Sequence, residues 1–409
     1  MTFRLGLNYW PSASAMYWWR RFDAGEVHRD FARIREAGFD SVRIFLLWED
    51  FQPAPDLVSQ DALERLIKVA DAAGQTQLSL LPTLFTGHMS GVNWVPGWAL
   101  DPKHPSASET PSRFRVVSGG RVVIASLKNW YVDRGIEEAQ AMLAREIATA
   151  IHGHNALWAW DLGNENSNCC VPPTRQSALA WLDRISGEIR AVDRRHPITI
   201  GLHMEDLEED RRLGPQEAAS VCEFLCMHGY PIYAEWADGP TDEMVLPFLG
   251  LMTCWLGGKD VLFEEFGAPA VSRRHPRATS QPAGSGIPLL DEEGAGSYIR
   301  RSLDALHRFG FSGAMVWCYG DYARGLWNEP PLDESVHERF FGLWRFDSDG
   351  SATPKPALAE VRRFRGLPRR ESAGEFPWID IDKNEFYSSP REHLRRLYRR
   401  FRETYQAAG

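Results

Sequence analysis

Two short stretches of the sequence each bring an acidic side chain to the end of an apolar segment. LWAWDLGNEN alternates large apolar residues with small or polar ones and then reaches Asn164 and Glu165. VLFEEFGAP carries Glu264 and Glu265 directly before a Phe-Gly pair. Two carboxylates that face each other across a site are the equipment of glycoside hydrolysis, in which one protonates the leaving oxygen and the other attacks the anomeric carbon.

Eight apolar runs must position these side chains, and helical patterns separate them. The runs cover residues 3–9, 41–48, 77–85, 157–163, 198–203, 222–228, 260–266 and 312–319. Helical patterns end before Gly38 and Gly74, where we expect glycine to close the helix, and fill residues 134–152 and 176–193. Alternating strands and helices predict an α/β fold, a (β/α)8 TIM barrel, because parallel strands need helical crossovers.

Active sites of such barrels lie at the C-terminal ends of the strands, so strands four and seven should bring the two acidic stretches together. Residues 1–366 are predicted to form the catalytic barrel. Residues 87–128, rich in Gly, Pro, Ser and Trp, form a long loop after strand three on the active face. Residues 367–409 are a C-terminal extension, and its Arg-rich amphipathic helix should dock outside the barrel through one apolar stripe: Leu394, Leu397, Tyr398 and Phe401.

Composition and charge restrict the partners of the chain. Its 409 residues are 44% hydrophobic and 25% charged, with a formal net charge of -9 and no dense basic run before the C-terminal tail. This excludes a nucleic-acid or membrane surface and favours a small neutral ligand such as an oligosaccharide. Without a signal-like N-terminus or a stretch of roughly 18 apolar residues, a soluble cytoplasmic protein is expected. The sequence does not indicate an oligomeric state.

Metal and cofactor signals are weak throughout the sequence. The six cysteines lack paired ligand spacing, so reduced thiols are the main interpretation, with a vicinal disulfide between Cys169 and Cys170 as the alternative. His152 and His154 form an H-x-H without a carboxylate or cysteine partner. No GxGxxG or Walker motif follows a predicted strand. We therefore predict that no metal and no cofactor takes part.

GNEN after strand four and EEFG after strand seven resemble the acid/base and nucleophile signatures of the retaining glycoside hydrolases of clan A, most closely glycoside hydrolase family 5. The resemblance covers residues 3 to about 358. It implies that Glu165 is the acid/base and Glu265 the nucleophile, because the family order is Glu-Phe/Trp-Gly. Alternation along strand seven places Glu264 on the opposite face, supporting a neighbouring loop or helix. A retaining mechanism implies carboxyl groups roughly 5 Å apart.

Further positions match the same family in order along the chain. Arg43 resembles the strand-two arginine behind the nucleophile, His228 and Tyr230 the strand-six His-x-Tyr, and Trp317 the strand-eight tryptophan beneath the sugar. Arg43 and the Tyr230 hydroxyl should keep Glu265 ionised, although an ion pair between Arg43 and Asp161 is an alternative.

We expect the sugar to bind at the strand ends that carry Glu165 and Glu265. Partial burial and the nucleophile carboxylate should raise the pKa of Glu165, and Asn164 should donate a hydrogen bond to the sugar 2-hydroxyl. Trp94 and Trp98 from the long loop are expected to contact sugar. His88 is either a subsite contact or a satisfied loop histidine.

The resemblance favours a retaining β-glycosidase, with an exo-acting β-mannosidase on small β-1,4-linked oligosaccharides as the leading interpretation. The long loop after strand three would close one end of the pocket. The alternatives are a β-glucosidase, a β-galactosidase, or an endo-β-mannanase or cellulase of the same clan. An inactive carbohydrate-binding barrel is the alternative from a different class.

Overall fold

Eight parallel strands form the centre of the molecule in this computed structural model, which describes residues 1–101, 114–273, 286–347, 349–372 and 375–406. The strands are β1 (Arg4–Asn8), β2 (Ser41–Phe45), β3 (Ser79–Phe85), β4 (Trp160–Asn164), β5 (Ile198–Gly201), β6 (Leu225–His228), β7 (Val261–Phe266) and β8 (Gly313–Val316). They pair in the order β5-β4-β3-β2-β1-β8-β7-β6, and a parallel bridge between His203 and His228 joins β5 to β6. The sheet is therefore closed, and the predicted (β/α)8 barrel is confirmed.

Helices cover the outside of this sheet. The longer ones are α1 (Ala24–Ala37), α2 (Gln60–Gln75), α3 (Arg134–Ile151), α4 (Arg175–Val192), α5 (Val245–Gly257), α6 (Glu292–Arg308), α7 (Pro356–Val361) and α8 (Pro390–Gln406). Short α-helical turns are Trp48–Phe51, Asn166–Cys169, Glu205–Glu208, Pro215–Ala218 and Lys383–Phe386, and 3-10 turns are Ala15–Tyr17, Gly97–Ala99, Pro231–Tyr233, Arg324–Leu326, Val336–Phe340 and Arg362–Phe364. None of the described helices is both long and apolar enough to cross a membrane.

Local chemistry explains where two of these helices begin and end. The Asp23 side chain accepts hydrogen bonds from the backbone N–H groups of Gly25 and Glu26 at the start of α1, which ends at Gly38 with φ 106°. A residue without a Cβ adopts that left-handed conformation at little cost. The expectation that Gly74 closes the next helix is wrong, because Gly74 lies inside α2 and Thr76 is its C-cap.

The barrel strands are buried on both faces, as expected for parallel strands covered by helices. Every residue of β2, sequence SVRIF, is buried, including Arg43. A charged side chain inside such a strand needs partners in the barrel interior, since an unpaired buried charge costs several kcal/mol. The partners of Arg43 lie in the cavity above it, and this links the core to the site.

The segment between β3 and α3 forms a small sheet of its own. Its strands are His88–Met89, Val92–Trp94, Arg115–Ser118 and Arg121–Val123. Leu100–Asp101 pairs with Ser126–Leu127, while Ala270–Val271 pairs with Leu290–Asp291 and Trp344–Phe346 with Ala352–Pro354 elsewhere in the chain. Residues 102–113 of the predicted long loop lie outside the described residues.

The C-terminal helix α8 packs on the barrel through its apolar stripe. Leu394, Leu397, Tyr398 and Phe401 are all buried. The Phe401 ring centroid lies 5.5 Å from that of Phe248 in α5 and 5.3 Å from that of Trp378. The division of the chain at residue 367 remains a prediction, but the helix that follows it is in contact with the barrel.

Candidate active site

A cavity of about 540 Å³ opens at the C-terminal ends of the strands. Its size lies in the range usual for small-molecule sites. Seven of the residues predicted from the sequence line it: His88, Asn164, Glu165, His228, Tyr230, Glu265 and Trp317. The structure therefore brings the two acidic stretches of the sequence together.

Glu165 reaches the cavity through an unusual backbone turn. β4 ends at Asn164, and Glu165 follows with φ 48°, a left-handed conformation that non-glycine residues rarely adopt. Its N–H donates to the carbonyl of Gly201 at 3.0 Å. Gly163 makes the turn feasible, because a Cβ there would lie 2.4 Å from Asn166 Oδ1. Strained residues of this kind concentrate at functional sites.

The carboxylate of Glu165 is surrounded by donors. His228 Nδ1 lies 3.0 Å from Oε1, Asn168 Nδ2 donates to Oε2 at 3.1 Å, and His88 Nε2 lies 3.9 Å from Oε2. Burial alone would raise the pKa of Glu165, but His203, His228 and His88 outweigh it and hold the pKa well below its usual range. The expectation of a raised pKa is therefore corrected, because it counted the nucleophile carboxylate and not the histidines.

The glutamate doublet is split by a bulge in β7. His228 of β6 pairs with Glu265, whereas Met227 pairs with Phe263, so Glu264 has no partner in this register. Glu265 lines the cavity, while the Glu264 side chain is fully buried. Both nevertheless contact the same groups, so the expectation that Glu264 supports a loop or helix is corrected.

Glu265 is held by two donors. Arg43 Nη1 donates to its Oε1 at 2.5 Å, and the Tyr230 hydroxyl donates to its Oε2 at 2.9 Å. Burial raises the pKa of Glu265 and the Glu165 carboxylate adds to this effect, while His228, Arg43 and Tyr230 act against them; the net shift is upward.

Besides Glu265, the Arg43 guanidinium contacts Asp161, Asn164 and Glu264. It donates to Asp161 Oδ2 from Nη2 at 2.7 Å and to Asn164 Oδ1 at 2.8 Å, and its Nε lies 3.3 Å from Glu264 Oε1. Arg43 therefore contacts both of the carboxylates that the sequence offered as its partners, Glu265 and Asp161. Burial, followed by the Glu264 charge, raises the pKa of Asp161 to about 6.

Gly201 makes this arrangement possible at the end of β5. A Cβ at Gly201 would lie 3.0 Å from Arg43 Nη2, from the Gly163 carbonyl oxygen and from His228 Cε1. Any larger residue would push the arginine or the histidine out of place.

His228 lies between three glutamates. Its Nδ1 is 3.0 Å from Glu165 Oε1 and 3.8 Å from Glu265 Oε2, and its Nε2 is 3.1 Å from Glu264 Oε2. Burial alone would lower its pKa, but the Glu265 charge and the hydrogen bonds to Glu165 and Glu264 raise the pKa of His228 to about 10. The ring is therefore an imidazolium at neutral pH, with both nitrogens donating.

The two candidate catalytic carboxylates lie close together. One oxygen of Glu165, one of Glu265 and a ring nitrogen of His228 all lie within 4.8 Å of one another. Carboxyl groups about 5 Å apart are typical of retaining glycosidases, whereas inverting enzymes leave a wider gap for water. Among the described residues, these three side chains form a group whose ligand atoms are close enough together to hold a metal ion.

The remaining predicted contact residues occupy different environments. Asn164 donates from Nδ2 to the carbonyl of His88 at 2.6 Å. His88 is both a satisfied loop histidine, with Nδ1 2.7 Å from Asn93 Oδ1, and a lining residue of the cavity. Trp317 lies at the end of β8 and is 3% exposed. These positions make Asn164 and Trp317 available to a ligand.

Trp94 and Trp98 are not in the cavity, contrary to expectation. Trp94 is fully buried, donates from its indole N–H to the Met89 carbonyl at 3.2 Å and packs against Tyr17. Trp98 donates to the Gln52 carbonyl at 3.0 Å and packs on Trp48. Both are packing residues of the loop, because their indole groups bond within the protein.

Several lining residues were not predicted from the sequence. They are Asn168, His203, Met204, Glu205, Glu208, Tyr233, Trp236, His337, Glu338, Phe341, Arg391 and Arg395, among others. His203 follows β5, and its position directly after a strand end could have identified it as a site residue. Glu338 is 7% exposed, and its Oε2 has no hydrogen-bond partner among the described residues. Nothing in the local sequence pattern indicated the arginines of α8.

Comparison with known proteins finds solved structures that are similar to this chain. No protein-family model and no curated protein sequence matches the chain. The exo-β-1,4-mannosidase Op5Man5 from Opitutaceae bacterium strain TAV5 is 26% identical, with a TM-score of 0.70, over 89% of this chain and 59% of that one. The chain thus spans less than two thirds of that protein.

Two other solved structures cover most of both chains. GH5_18 from Streptomyces cattleya, in complex with GlcNAc, is 22% identical with a TM-score of 0.75, over 100% of this chain and 92% of that one. A GH5_18 variant from Bifidobacterium longum subsp. longum, in complex with Manβ1-4GlcNAc, is 18% identical with a TM-score of 0.71, over 90% and 80%. These structures share the fold of the chain, in agreement with the predicted resemblance to glycoside hydrolase family 5.

Proposed function

We propose that this protein is a retaining β-glycosidase that hydrolyses small β-linked oligosaccharides by double displacement, and that it acts as an exo-β-mannosidase. The observation that carries the proposal is a pair of glutamates in one cavity, with one oxygen of Glu165 within 4.8 Å of one oxygen of Glu265. Glu265 is held by Arg43 and Tyr230, and Glu165 by His228 and Asn168. The two carboxylates thus have different partners, as two different roles require.

In the first step, Glu265 attacks the anomeric carbon and forms a glycosyl ester, while the bond to the leaving oxygen breaks. Arg43 and the Tyr230 hydroxyl fix the carboxylate in one orientation, so little motion is needed to reach the carbon. Asn164 is oriented by the hydrogen bond that its Oδ1 accepts from Arg43. Its amide nitrogen then donates to the sugar 2-hydroxyl as the ring approaches the oxocarbenium-like state.

The proton for the leaving oxygen comes from the pair formed by Glu165 and His228. In the resting site this proton is on His228, whose Nδ1 donates to Glu165 Oε1. As the leaving oxygen gains negative charge, the His228 proton moves to Glu165 and from Glu165 to that oxygen, which leaves Glu165 unprotonated and His228 neutral. When Glu265 becomes an ester its charge disappears, which removes a main support of the high pKa of His228.

In the second step, Glu165 takes a proton from a water molecule that attacks the glycosyl ester. The ester bond breaks, Glu265 regains its charge, and the proton returns to the Glu165–His228 pair. The sugar therefore leaves with the configuration at the anomeric carbon that it had in the substrate.

The shape of the cavity supports exo-action. His88, Met89, Ser90, Gly91 and Phe114 of the insertion after β3 line it. Such a wall limits the number of sugar units on that side and favours release of a terminal sugar. Mannose is favoured because one structural neighbour is an exo-β-1,4-mannosidase and another binds Manβ1-4GlcNAc.

Release assays test this proposal. Matched β-mannosides, β-glucosides and β-galactosides should show fastest hydrolysis of the mannosides, and NMR of the first product should show the β-anomer. Trapping with a 2-fluoro mannoside should label Glu265. Faster hydrolysis of another sugar would replace mannose in the proposal, faster internal cleavage of mannan than of disaccharides would reject exo-action, and no hydrolysis at all would favour the inactive binding barrel.

A cytoplasmic location is proposed as well. All six cysteines are free thiols, which is the usual state in a reducing compartment. Fractionation of cells that express the natural gene should recover the protein with cytoplasmic markers, and recovery from the medium or envelope would contradict it.

A further inference from the structure

The cavity continues past Glu165 along a wall made by the segment after β6 and by helix α8. Tyr233 and Trp236 line it from the first, and Arg391 and Arg395 from the second. Tyr233 is 40% exposed, and Trp236 is partly exposed. These rings differ from Trp317, which is almost fully buried at the end of β8.

Trp236 is fixed in place rather than loosely exposed. Its indole N–H donates to Glu208 Oε1 at 2.6 Å, and Glu208 lies 3.8 Å from Arg391 of α8. The Trp236 ring meets Tyr398 of α8 edge to face at a centroid distance of 4.9 Å and an angle of 70°. The polar edge of the indole is thus satisfied within the protein, which leaves an apolar ring face for a ligand.

Helix α8 also anchors the rest of this segment. The Tyr398 hydroxyl donates to Asp242 Oδ2 at 2.5 Å, and Arg402 donates to Asp242 Oδ1 at 2.7 Å. Asp242 accepts the backbone N–H of Asp238 at 2.9 Å. The C-terminal helix therefore holds the segment after β6 at two points, Trp236 and Asp242.

We propose that Trp236 is the stacking platform for the leaving sugar and that α8 is the element that positions it. The inference rests on the proposed function, since the leaving oxygen must lie beside the acid Glu165. Residues of the segments after β4, β5 and β6 line the cavity with Glu165, whereas Glu265 lies in β7 and Trp317 directly follows β8. The ligand class is a β-linked pyranose whose apolar face lies on the indole.

Two substrates with the same glycone distinguish a role in binding the leaving sugar from a role in the chemical step. A β-mannosyl fluoride has no sugar as leaving group, whereas β-1,4-linked mannobiose does. Trp236→Ala should lower kcat/KM for mannobiose roughly tenfold, mainly through KM, and change kcat/KM for the fluoride by less than about twofold. Trp236→Phe, which keeps a ring, should recover most of the loss. Trp255→Ala, a partly buried tryptophan of α5 outside the cavity, is the matched control and should show no difference between the substrates.

Tyr398 tests the part played by α8. Tyr398→Leu removes the ring that supports Trp236 and should reproduce the substrate difference of Trp236→Ala. Tyr398→Phe keeps the ring and leaves Asp242 bound to Arg402, so it should retain mannobiose hydrolysis. Equal losses on both substrates, or no loss on mannobiose, in either Trp236→Ala or Tyr398→Leu would overturn the inference. A wild-type protein that cleaves neither substrate would instead refute the proposed function.

Discussion

Replacing His228 with glutamine should remove a large part of the pH dependence of stability between pH 7 and pH 10. Glu265, Glu165 and Glu264 surround this buried ring and, against burial, raise its pKa to about 10 from an ordinary value of 6.5. A group with a raised pKa in the folded state stabilises the fold fully below its unfolded pKa, and that stabilisation is lost as the pH rises through the folded pKa. For His228 the loss therefore falls between 6.5 and about 10.

The size of the effect follows from this window. At 1.36 kcal/mol per pH unit, the rise in the His228 pKa from 6.5 to about 10 corresponds to roughly 5 kcal/mol in the free energy of unfolding. Among the neighbouring carboxylates, Glu165 and Glu264 have lowered pKa values and Asp161 has a pKa of about 6, so these three titrate below the window. The pKa of Glu265 is raised, and Glu265 is present in both proteins of the comparison. The buried cysteines have raised pKa values, and they are present in both proteins of the comparison.

Urea unfolding followed by tryptophan fluorescence at pH 7, 8, 9 and 10 measures the effect. The difference in unfolding free energy between wild type and His228→Gln should be largest at pH 7 and shrink by several kcal/mol towards pH 10. His307→Gln, at a histidine outside the cavity whose Nε2 lies 2.9 Å from the Pro368 carbonyl oxygen, is the matched control variant. A constant difference for His228→Gln, or an NMR titration of the His228 ring near its ordinary pKa, would refute the reasoning.

Three further predictions concern single side chains. Tyr230→Phe removes the hydroxyl that donates to Glu265 at 2.9 Å, so the pKa of the Glu265 carboxyl should rise. The acidic limb of the pH profile of kcat/KM should then move up by about one pH unit, and an unchanged limb would contradict this. Glu165→Gln should slow mannobiose hydrolysis about 10²- to 10⁴-fold and dinitrophenyl mannoside hydrolysis far less, because the second leaving group needs no acid; equal losses would argue against the acid role. Trp94→Ala should destabilise the protein by about 3–5 kcal/mol, since the ring is fully buried, with KM unchanged in the folded fraction; a raised KM without lost stability would restore the sugar contact.

The barrel was predictable because its signal is local. Parallel strands covered on both faces are continuous apolar runs, so each of the eight runs was visible in the sequence without knowledge of its partners. The site followed from the same signal, since the barrel fold places strand ends such as Asn164–Glu165 and Glu264–Glu265 at one face. The resemblance to a known family then separated the roles of these side chains.

What the sequence could not show depends on contacts between distant residues. Trp94 and Trp98 were assigned to the sugar because they lie in the long loop, but their indole groups bond to Met89 and Gln52. The pKa of Glu165 was expected to rise because the sequence could not place three histidines around it: His88 after β3, His203 after β5 and His228 in β6.

The first glutamate of the EEFG stretch, Glu264, has a physical role that neither alternation nor family order indicates. The β7 bulge turns Glu264 towards Arg43 and His228, so that its Oε2 accepts the Nε2–H of the histidine at 3.1 Å. This hydrogen bond fixes the ring with Nδ1 facing Glu165, and the buried charge of Glu264 favours the imidazolium. Glu264 thus keeps a proton beside Glu165, the proposed acid, while Glu265, on the other side of the same bulge, lines the cavity proposed to hold the substrate.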